Sequence, residues 1–254
     1  MAVQQEEARE RIAASLLPAC RKFEFAHWQR RVPSRYALQP LSAQGSVLDP
    51  IGGRFNVGRI DPERIPPFPA LYLAEDQDTA LQEALGGIES KKGLTFRDLA
   101  LNRLDSYAMY SMSGQIGIAL DIGDGSVLKP LAQIIGEFPV PSELVRWAQR
   151  LAQPTPGSIN SVASIMQWTM LREWRRMPAL AAVDAPSQQL GRMARAAGIE
   201  AIRYRSVKSG KPCLAVFPDN LAHSSSYVEL DDPTPPEYPG LIRRLDSTSW
   251  PKLI

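Results

Sequence analysis

The sequence Gly52-Gly53-Arg54-Phe55-Asn56 opens the stretch that decides the fold of this chain. It is followed by the apolar run Ala70-Leu71-Tyr72-Leu73-Ala74 and then by Thr79-Ala80-Leu81-Gln82-Glu83-Ala84-Leu85. The apolar run has the length and composition of a short buried strand, and the third segment has the spacing of a helix. The stretch therefore predicts a loop, a strand and a helix in close succession.

The segment N-terminal to this unit of loop, strand and helix begins with a predicted helix. Residues 3–17 have helical apolar spacing and are stopped by Pro18. The expected buried face of this helix consists of Ile12, Leu16 and Leu17. We interpret residues 1–50 as an N-terminal helical extension that either packs against the domain or forms an arm that contacts a partner.

The unit is followed by alternating helix and strand signals. Asp76 or Asp78 is the expected N-cap of the helix through Leu85, and Gly86-Gly87 is its expected end. Two strands are predicted at 107–112 and 116–122, around a hairpin turn at Ser113-Gly114. Residues 126–197 are expected to be mostly helical, and further strands are predicted at 199–204 and 214–217. The domain thus spans residues 51–230, and residues 231–254, rich in Pro and Asp, form a tail on its surface.

Four polar residues of this region make a possible chemical site. Arg54 can donate two hydrogen bonds to a phosphate, and Tyr72 can stack on a ribose or an aromatic ring. Glu83 can accept hydroxyl protons and stabilise positive charge, and Ser206, which follows a predicted strand, can bind a ribose or a phosphate. Taken singly, they would be a turn arginine, a core tyrosine, a solvated helix glutamate and a turn-capping serine. Together they favour a site that binds a phosphorylated sugar and cleaves its bond.

The same residues carry a family resemblance. Gly-Arg-Phe-Asn at 53–56, Leu-Tyr-Leu-Ala at 71–74, Thr-Ala-x-x-Glu at 79–83 and Tyr-x-Ser at 204–206 occur in the order and spacing of the RES domain. The chain resembles that family from about residue 52 to residue 217. The family is named for its Arg, Glu and Ser, and its bacterial members are largely toxins of RES–Xre toxin–antitoxin pairs.

This resemblance implies the fold, the substrate and the partner. It implies an α+β fold similar to ADP-ribosyltransferases, with a central mixed or antiparallel sheet flanked by helices. It implies NAD as the substrate, with no separate cofactor, and an Xre-like helix-turn-helix antitoxin as the partner. It further implies degradation of NAD, with water or phosphate as the acceptor of ADP-ribose; transfer of ADP-ribose to a protein and a catalytically silent binding module are the alternatives. Arg59 is the alternative to Arg54 as the family arginine, but the flanking Gly-Gly and Phe-Asn favour Arg54.

Composition narrows the function classes. The chain has 254 residues and a net charge of +2, from 29 basic and 27 acidic residues, so we expect neither nucleic-acid nor membrane binding. The basic cluster Arg172, Arg175 and Arg176 is interpreted as a solvated helix face. With only His27 and His223, a zinc site or a Ser-His-Asp triad is not expected, and no Walker A loop is present. The charged amino terminus and two unpaired cysteines indicate a soluble, cytoplasmic protein.

Overall fold

A computed structural model describes residues 7–85, 107–140, 142–150, 159–233 and 238–254 of the chain. Its centre is a mixed sheet with the strand order β1-β2-β5-β4-β3-β6-β7, in which β1 also pairs with β3. The pair β3–β4 is parallel and the other pairs are antiparallel. Because β1 contacts both β2 and β3, five of the strands close into a ring. The strands are β1 (Arg21–Pro33), β2 (Leu71–Ala74), β3 (Tyr107–Asp121), β4 (Ala201–Arg205), β5 (Pro212–Val216), β6 (Tyr227–Leu230) and β7 (Arg244–Leu245).

Helices surround this sheet and confirm the α+β class predicted from the sequence. The helices are α1 (Arg9–Leu16), α2 (Gln44–Leu48), α3 (Gln77–Leu85), α4 (Lys129–Gly136), α5 (Ser142–Arg150), α6 (Val162–Thr169), α7 (Arg176–Ala181) and α8 (Pro186–Ala196). Asp76 is the N-cap of α3, because its Oδ1 accepts the amide of Thr79 at 2.8 Å. The predicted end of α3 at Gly86-Gly87 lies outside the described residues. Within the described ranges, no helix has both the length and the apolarity needed to cross a membrane.

Alternation along the strands divides the apolar residues between two cores. On β2 and β5, Leu71, Leu73, Leu214 and Val216 point into one core, together with Leu253 near the C-terminus. The residues between them face the other core, which is covered by α1, α4, α6 and α8. This is the period-two pattern of a strand that is buried on both faces. Tyr72, Tyr204 and Cys213 belong to the helix-covered side.

The predicted hairpin at Ser113-Gly114 is wrong. Both residues lie within the continuous strand β3, where Gly114 pairs with Phe25 of β1 and with Val228 of β6. A Cβ on Gly114 would lie 2.4 Å from the carbonyl oxygen of Tyr227. The glycine therefore permits the close approach of a neighbouring strand rather than a reversal of the chain.

The prediction that residues 1–50 are helical is also wrong in part. Helix α1 ends near the predicted stop, and a single 3₁₀ turn (Leu17–Ala19) follows it, but Leu17 is exposed rather than buried. Strand β1 then pairs with β3 along most of its length and is part of the central sheet. The division into extension, domain and tail at residues 50 and 230 remains a prediction.

Candidate active site

A cavity of about 300 Å³ lies between the end of β1, helix α2, strand β2 and helix α3. Its walls include Arg54, Tyr72 and Glu83, which come from the loop, the strand and the helix that follow one another in the sequence. Ser206 does not line the cavity, but its hydroxyl donates a hydrogen bond to Oε1 of Glu83 at 2.5 Å. The structure therefore brings together all four residues that the sequence singled out.

The loop that carries Arg54 is held by side chains from within and from β2. We call residues 51–56 the arginine loop. Oδ1 of Asn56 accepts the amide of Gly53 at 2.8 Å and the hydroxyl of Tyr72 at 2.9 Å. The same tyrosine oxygen accepts the amide of Phe55 at 2.9 Å. Because the hydroxyl of Tyr72 is occupied, its ring is the part that remains available to a ligand.

Glycines in the arginine loop are required by its close contact with Tyr72. A Cβ on Gly53 would lie 2.4 Å from the Tyr72 hydroxyl oxygen and 2.5 Å from its ring. Gly52 has a φ of +87°, in the region that residues with a side chain rarely adopt. The Gly-Gly before Arg54 is thus explained by the positive φ of Gly52 and by the contact of Gly53 with Tyr72.

Helix α8 supports the arginine loop from behind. Gln188 is fully buried, and its Nε2 lies within hydrogen-bond distance of the carbonyl oxygens of Ile51 (2.9 Å), Gly53 (3.1 Å) and Asn56 (2.9 Å). Its Oε1 accepts the amide of Ala185 at the start of the same helix. One glutamine therefore connects the beginning of α8 to three carbonyls of the loop that positions Arg54.

Arg54 itself is only 4% exposed, and its guanidinium is hydrogen-bonded to backbone carbonyls at and after the end of α6. Its Nη1 donates to the carbonyl of Leu171 at 3.0 Å and, more weakly, to that of Thr169 at 3.4 Å, whereas the buried Nε has no partner. Burial lowers the pKa of this guanidinium, although an arginine remains protonated near neutral pH. Arg59, the alternative family arginine, is exposed and does not line the cavity.

Glu83 is held in place by the turn that contains Ser206. The Ser206 hydroxyl oxygen, only 3% exposed as a residue, accepts the amides of Lys208 at 3.1 Å and Ser209 at 3.2 Å while donating to Glu83. Nζ of Lys208 donates to the carbonyl of Gln82 at 2.5 Å, near the end of α3. Among the described residues, Oε2 of Glu83 has no hydrogen-bond partner, so this oxygen remains available to a ligand.

The cavity carries more positive than negative side chains. Its acidic residues are Asp49 and Glu83, and its basic residues are Arg30, Arg31, Arg35, Arg54 and Arg175. None of these arginines pairs with a carboxylate of the described residues, and Arg30 instead donates to three backbone carbonyls. Burial lowers the pKa of Arg30 to about 10. Such a cavity suits an anionic ligand.

Within the described ranges, no group of three or more His, Cys, Asp or Glu side chains is placed to hold a metal ion.

Sequence reasoning missed several residues of the site. The interpretation of Arg172, Arg175 and Arg176 as a solvated helix face is correct in that all three are exposed, but Arg172 and Arg175 lie in the turn before α7, and Arg175 also lines the cavity beside the buried Trp174. The Trp-Arg pair in this basic cluster was the signal that could have identified it. Gln188 gave no signal, because its role depends on carbonyls more than 130 residues earlier in the chain.

Comparisons with known proteins give a family model and a similar solved structure. The family model of the RES domain matches residues 27–236. Among solved structures, a chain of the crystal structure of the M. tuberculosis MbcT–MbcA toxin–antitoxin complex is similar to this one, with 13% sequence identity and a TM-score of 0.44. The match covers 96% of this chain and 97% of that chain. No curated protein matches the sequence.

Proposed function

This chain belongs to the RES domain family, and we propose that it is an enzyme that cleaves the bond between nicotinamide and ribose in NAD. The observation that carries the proposal is the cavity in which Arg54, Tyr72 and Glu83 meet, with Ser206 bonded to Glu83. A cationic cavity with one oriented carboxylate matches a substrate that has a diphosphate at its centre and a cationic ring at one end.

Cleavage of the bond between nicotinamide and ribose needs little catalytic assistance to the leaving group. The nicotinamide ring of NAD is positively charged, so when its bond to the ribose C1 atom breaks, the bonding electrons neutralise the ring. No general acid is needed to protonate the leaving group. The enzyme must instead bind the diphosphate and stabilise the positive charge that develops on the ribose.

Each of the four residues has a place in this reaction. Arg54 binds the diphosphate, and the ring of Tyr72 packs against the ribose or the nicotinamide. The carboxylate of Glu83 stabilises the oxocarbenium-like ribose, an interaction that strengthens only as the charge develops. Ser206 is a positioning residue, because it orients Glu83 through its hydroxyl and does not line the cavity.

An acceptor then completes the reaction at the ribose C1 atom. Water gives ADP-ribose and a released proton, and inorganic phosphate gives the phosphorylated product. We propose degradation of NAD by one of these two acceptors, rather than transfer to a protein. An arginine-lined cavity accommodates a small anion beside the ribose, but it gives no reason for a particular protein to dock.

The first test is cleavage of NAD by the purified chain and by Glu83→Gln. Glutamine keeps an oxygen that accepts the hydrogen bond from Ser206 but removes the negative charge. We therefore expect kcat to fall by about 10²–10³, as for the loss of one transition-state stabiliser, with KM little changed. Glu63→Gln is the matched control, because Glu63 is exposed and does not line the cavity.

The acceptor is identified with NAD labelled in its ADP-ribose portion. Label in free ADP-ribose or its phosphate supports the proposal, and label on one discrete protein of a cell extract supports transfer instead. Uncleaved NAD, with both the wild type and the control variant folded, would point to a silent binding module.

We further propose that the protein is a toxin held inactive by an Xre-like helix-turn-helix antitoxin, as the family resemblance implies. Induction of the chain alone should deplete cellular NAD and stop growth, and coexpression with its antitoxin should prevent both effects. Growth arrest without a fall in NAD would contradict NAD degradation as the toxic activity.

A further inference from the structure

The segment between α6 and α7, opposite the arginine loop, contains a tryptophan that contacts two guanidinium groups. Nη1 of Arg54 bonds to the carbonyls of Thr169 and Leu171, which fixes the segment between α6 and α7 against the cavity. Trp174, 3% exposed, follows in this segment. Its ring centre lies 5.8 Å from Cζ of Arg54 and 4.5 Å from Cζ of Arg175.

Arg175 differs from its neighbour in how its charge is balanced. Arg176 forms an ion pair with Glu173 at 2.8 Å and does not line the cavity. Arg175 lines the cavity, is exposed, and has no carboxylate of the described residues within ion-pair distance. The indole of Trp174 holds the guanidinium of Arg175 in place, but a stacked ring does not neutralise its charge.

The charge of Arg175 acts on groups within the cavity. After burial, it is one of the influences that lower the pKa of Arg54, and it likewise acts to lower the pKa of Tyr72, which burial raises. Arg54 and Arg175, which both contact Trp174, thus repel each other. An anion bound between two such guanidinium groups would relieve this repulsion and accept hydrogen bonds from both.

We propose that Arg175 is a second phosphate-binding residue, held by Trp174 and acting together with Arg54 on the diphosphate of the substrate. This inference rests on the proposed function. It assigns the binding of a dianion to a residue outside the four sequence motifs. It also explains why a tryptophan is buried at this turn, since its ring orients the Arg175 guanidinium toward the ligand.

The test uses substrates and ligands with and without phosphate groups. For Arg175→Ala we expect kcat/KM for NAD to fall about 10- to 100-fold, the loss typical of a hydrogen bond to a charged group. Cleavage of nicotinamide riboside, which has no phosphate, should be unchanged. Arg175→Lys should lose less than the alanine variant, because it keeps the charge but not the planar stacking. Arg176→Ala is the matched control and should leave both substrates unaffected.

Binding of ADP-ribose, measured by calorimetry, separates this inference from the proposed function. Loss of ADP-ribose affinity in Arg175→Ala but not in Arg176→Ala supports the inference, whether or not the protein cleaves NAD. Unchanged affinity, or an equal loss of nicotinamide riboside and NAD cleavage, would overturn it and make Arg175 a structural residue. Failure of the wild type to bind ADP-ribose would overturn the inference, whereas failure to cleave NAD while ADP-ribose still binds would overturn only the proposed function.

Discussion

Arg54 has two roles that a single substitution cannot separate. Its guanidinium lines the cavity, and its Nη1 also holds the carbonyls of Thr169 and Leu171. The sequence suggested the first role through the glycines and the Phe-Asn that flank the arginine. The second role depends on a segment more than 110 residues away, and no local pattern indicates it.

The structure therefore predicts different effects for alanine substitutions of Arg54 and Arg59. Arg54→Ala should lose about 2–5 kcal/mol of interaction with a bound phosphate, roughly 30-fold to several thousand-fold in kcat/KM for NAD. It should also lower the melting temperature, because two carbonyls lose their donor. Arg59→Ala should change neither quantity, since Arg59 is exposed and outside the cavity. A larger loss of activity in Arg59→Ala would move the phosphate site to that residue.

At the scale of elements, the sequence predicted what local spacing determines. Strands β2, β4 and β5 and helix α3 lie within a few residues of their predicted positions, because apolar periodicity and capping residues are local signals. The hairpin at Ser113-Gly114 failed because Gly114 serves a contact with Tyr227, far away in sequence. Strand β1 was missed because its pairing with β3 joins residues about 75 to 100 positions apart.

The contact between α8 and the arginine loop gives a prediction at this scale. Gly191 lies inside α8, where alanine normally stabilises a helix by about 1 kcal/mol relative to glycine. A Cβ at this position would, however, lie 2.0 Å from the carbonyl oxygen of Phe55. Because that atom belongs to the backbone, the helix or the loop must move, and overpacking of this kind costs about 1–3 kcal/mol or more. We expect Gly191→Ala to lower both the melting temperature and kcat/KM.

Gly240→Ala provides the control for this prediction. A Cβ on Gly240 would meet no atom of the described residues within 4 Å, so stability and activity should stay at wild-type values. If Gly191→Ala were as stable and active as Gly240→Ala, helix α8 would not fix the position of Arg54, and the support attributed to Gln188 would need another explanation.

At the scale of the whole molecule, the C-terminus is bonded to a segment of the cavity wall. The carbonyl of Leu253 accepts the amide of Ala43 at 2.8 Å and the hydroxyl of Ser42 at 3.2 Å. Helix α2 begins at Gln44, directly after Ala43, and its residues Gly45 and Ser46 line the cavity. The predicted surface tail thus reaches the site through one buried residue, a connection that its Pro- and Asp-rich composition does not indicate.

Leu253 and Ile254 allow this connection to be tested with adjacent residues. Leu253 is 1% exposed and packs in the core with Leu71 and Leu214, whereas Ile254 is 40% exposed. Leu253→Ala keeps the backbone bonds to Ala43 and Ser42 but leaves a cavity, which should cost about 2–5 kcal/mol and lower the melting temperature by roughly 4–20 °C. Ile254→Ala should change stability by less than about 0.5 kcal/mol. Because α2 forms part of the cavity wall, we expect Leu253→Ala also to raise KM for NAD. Equal melting temperatures for the two variants would mean that the C-terminus lies over the core without supporting it.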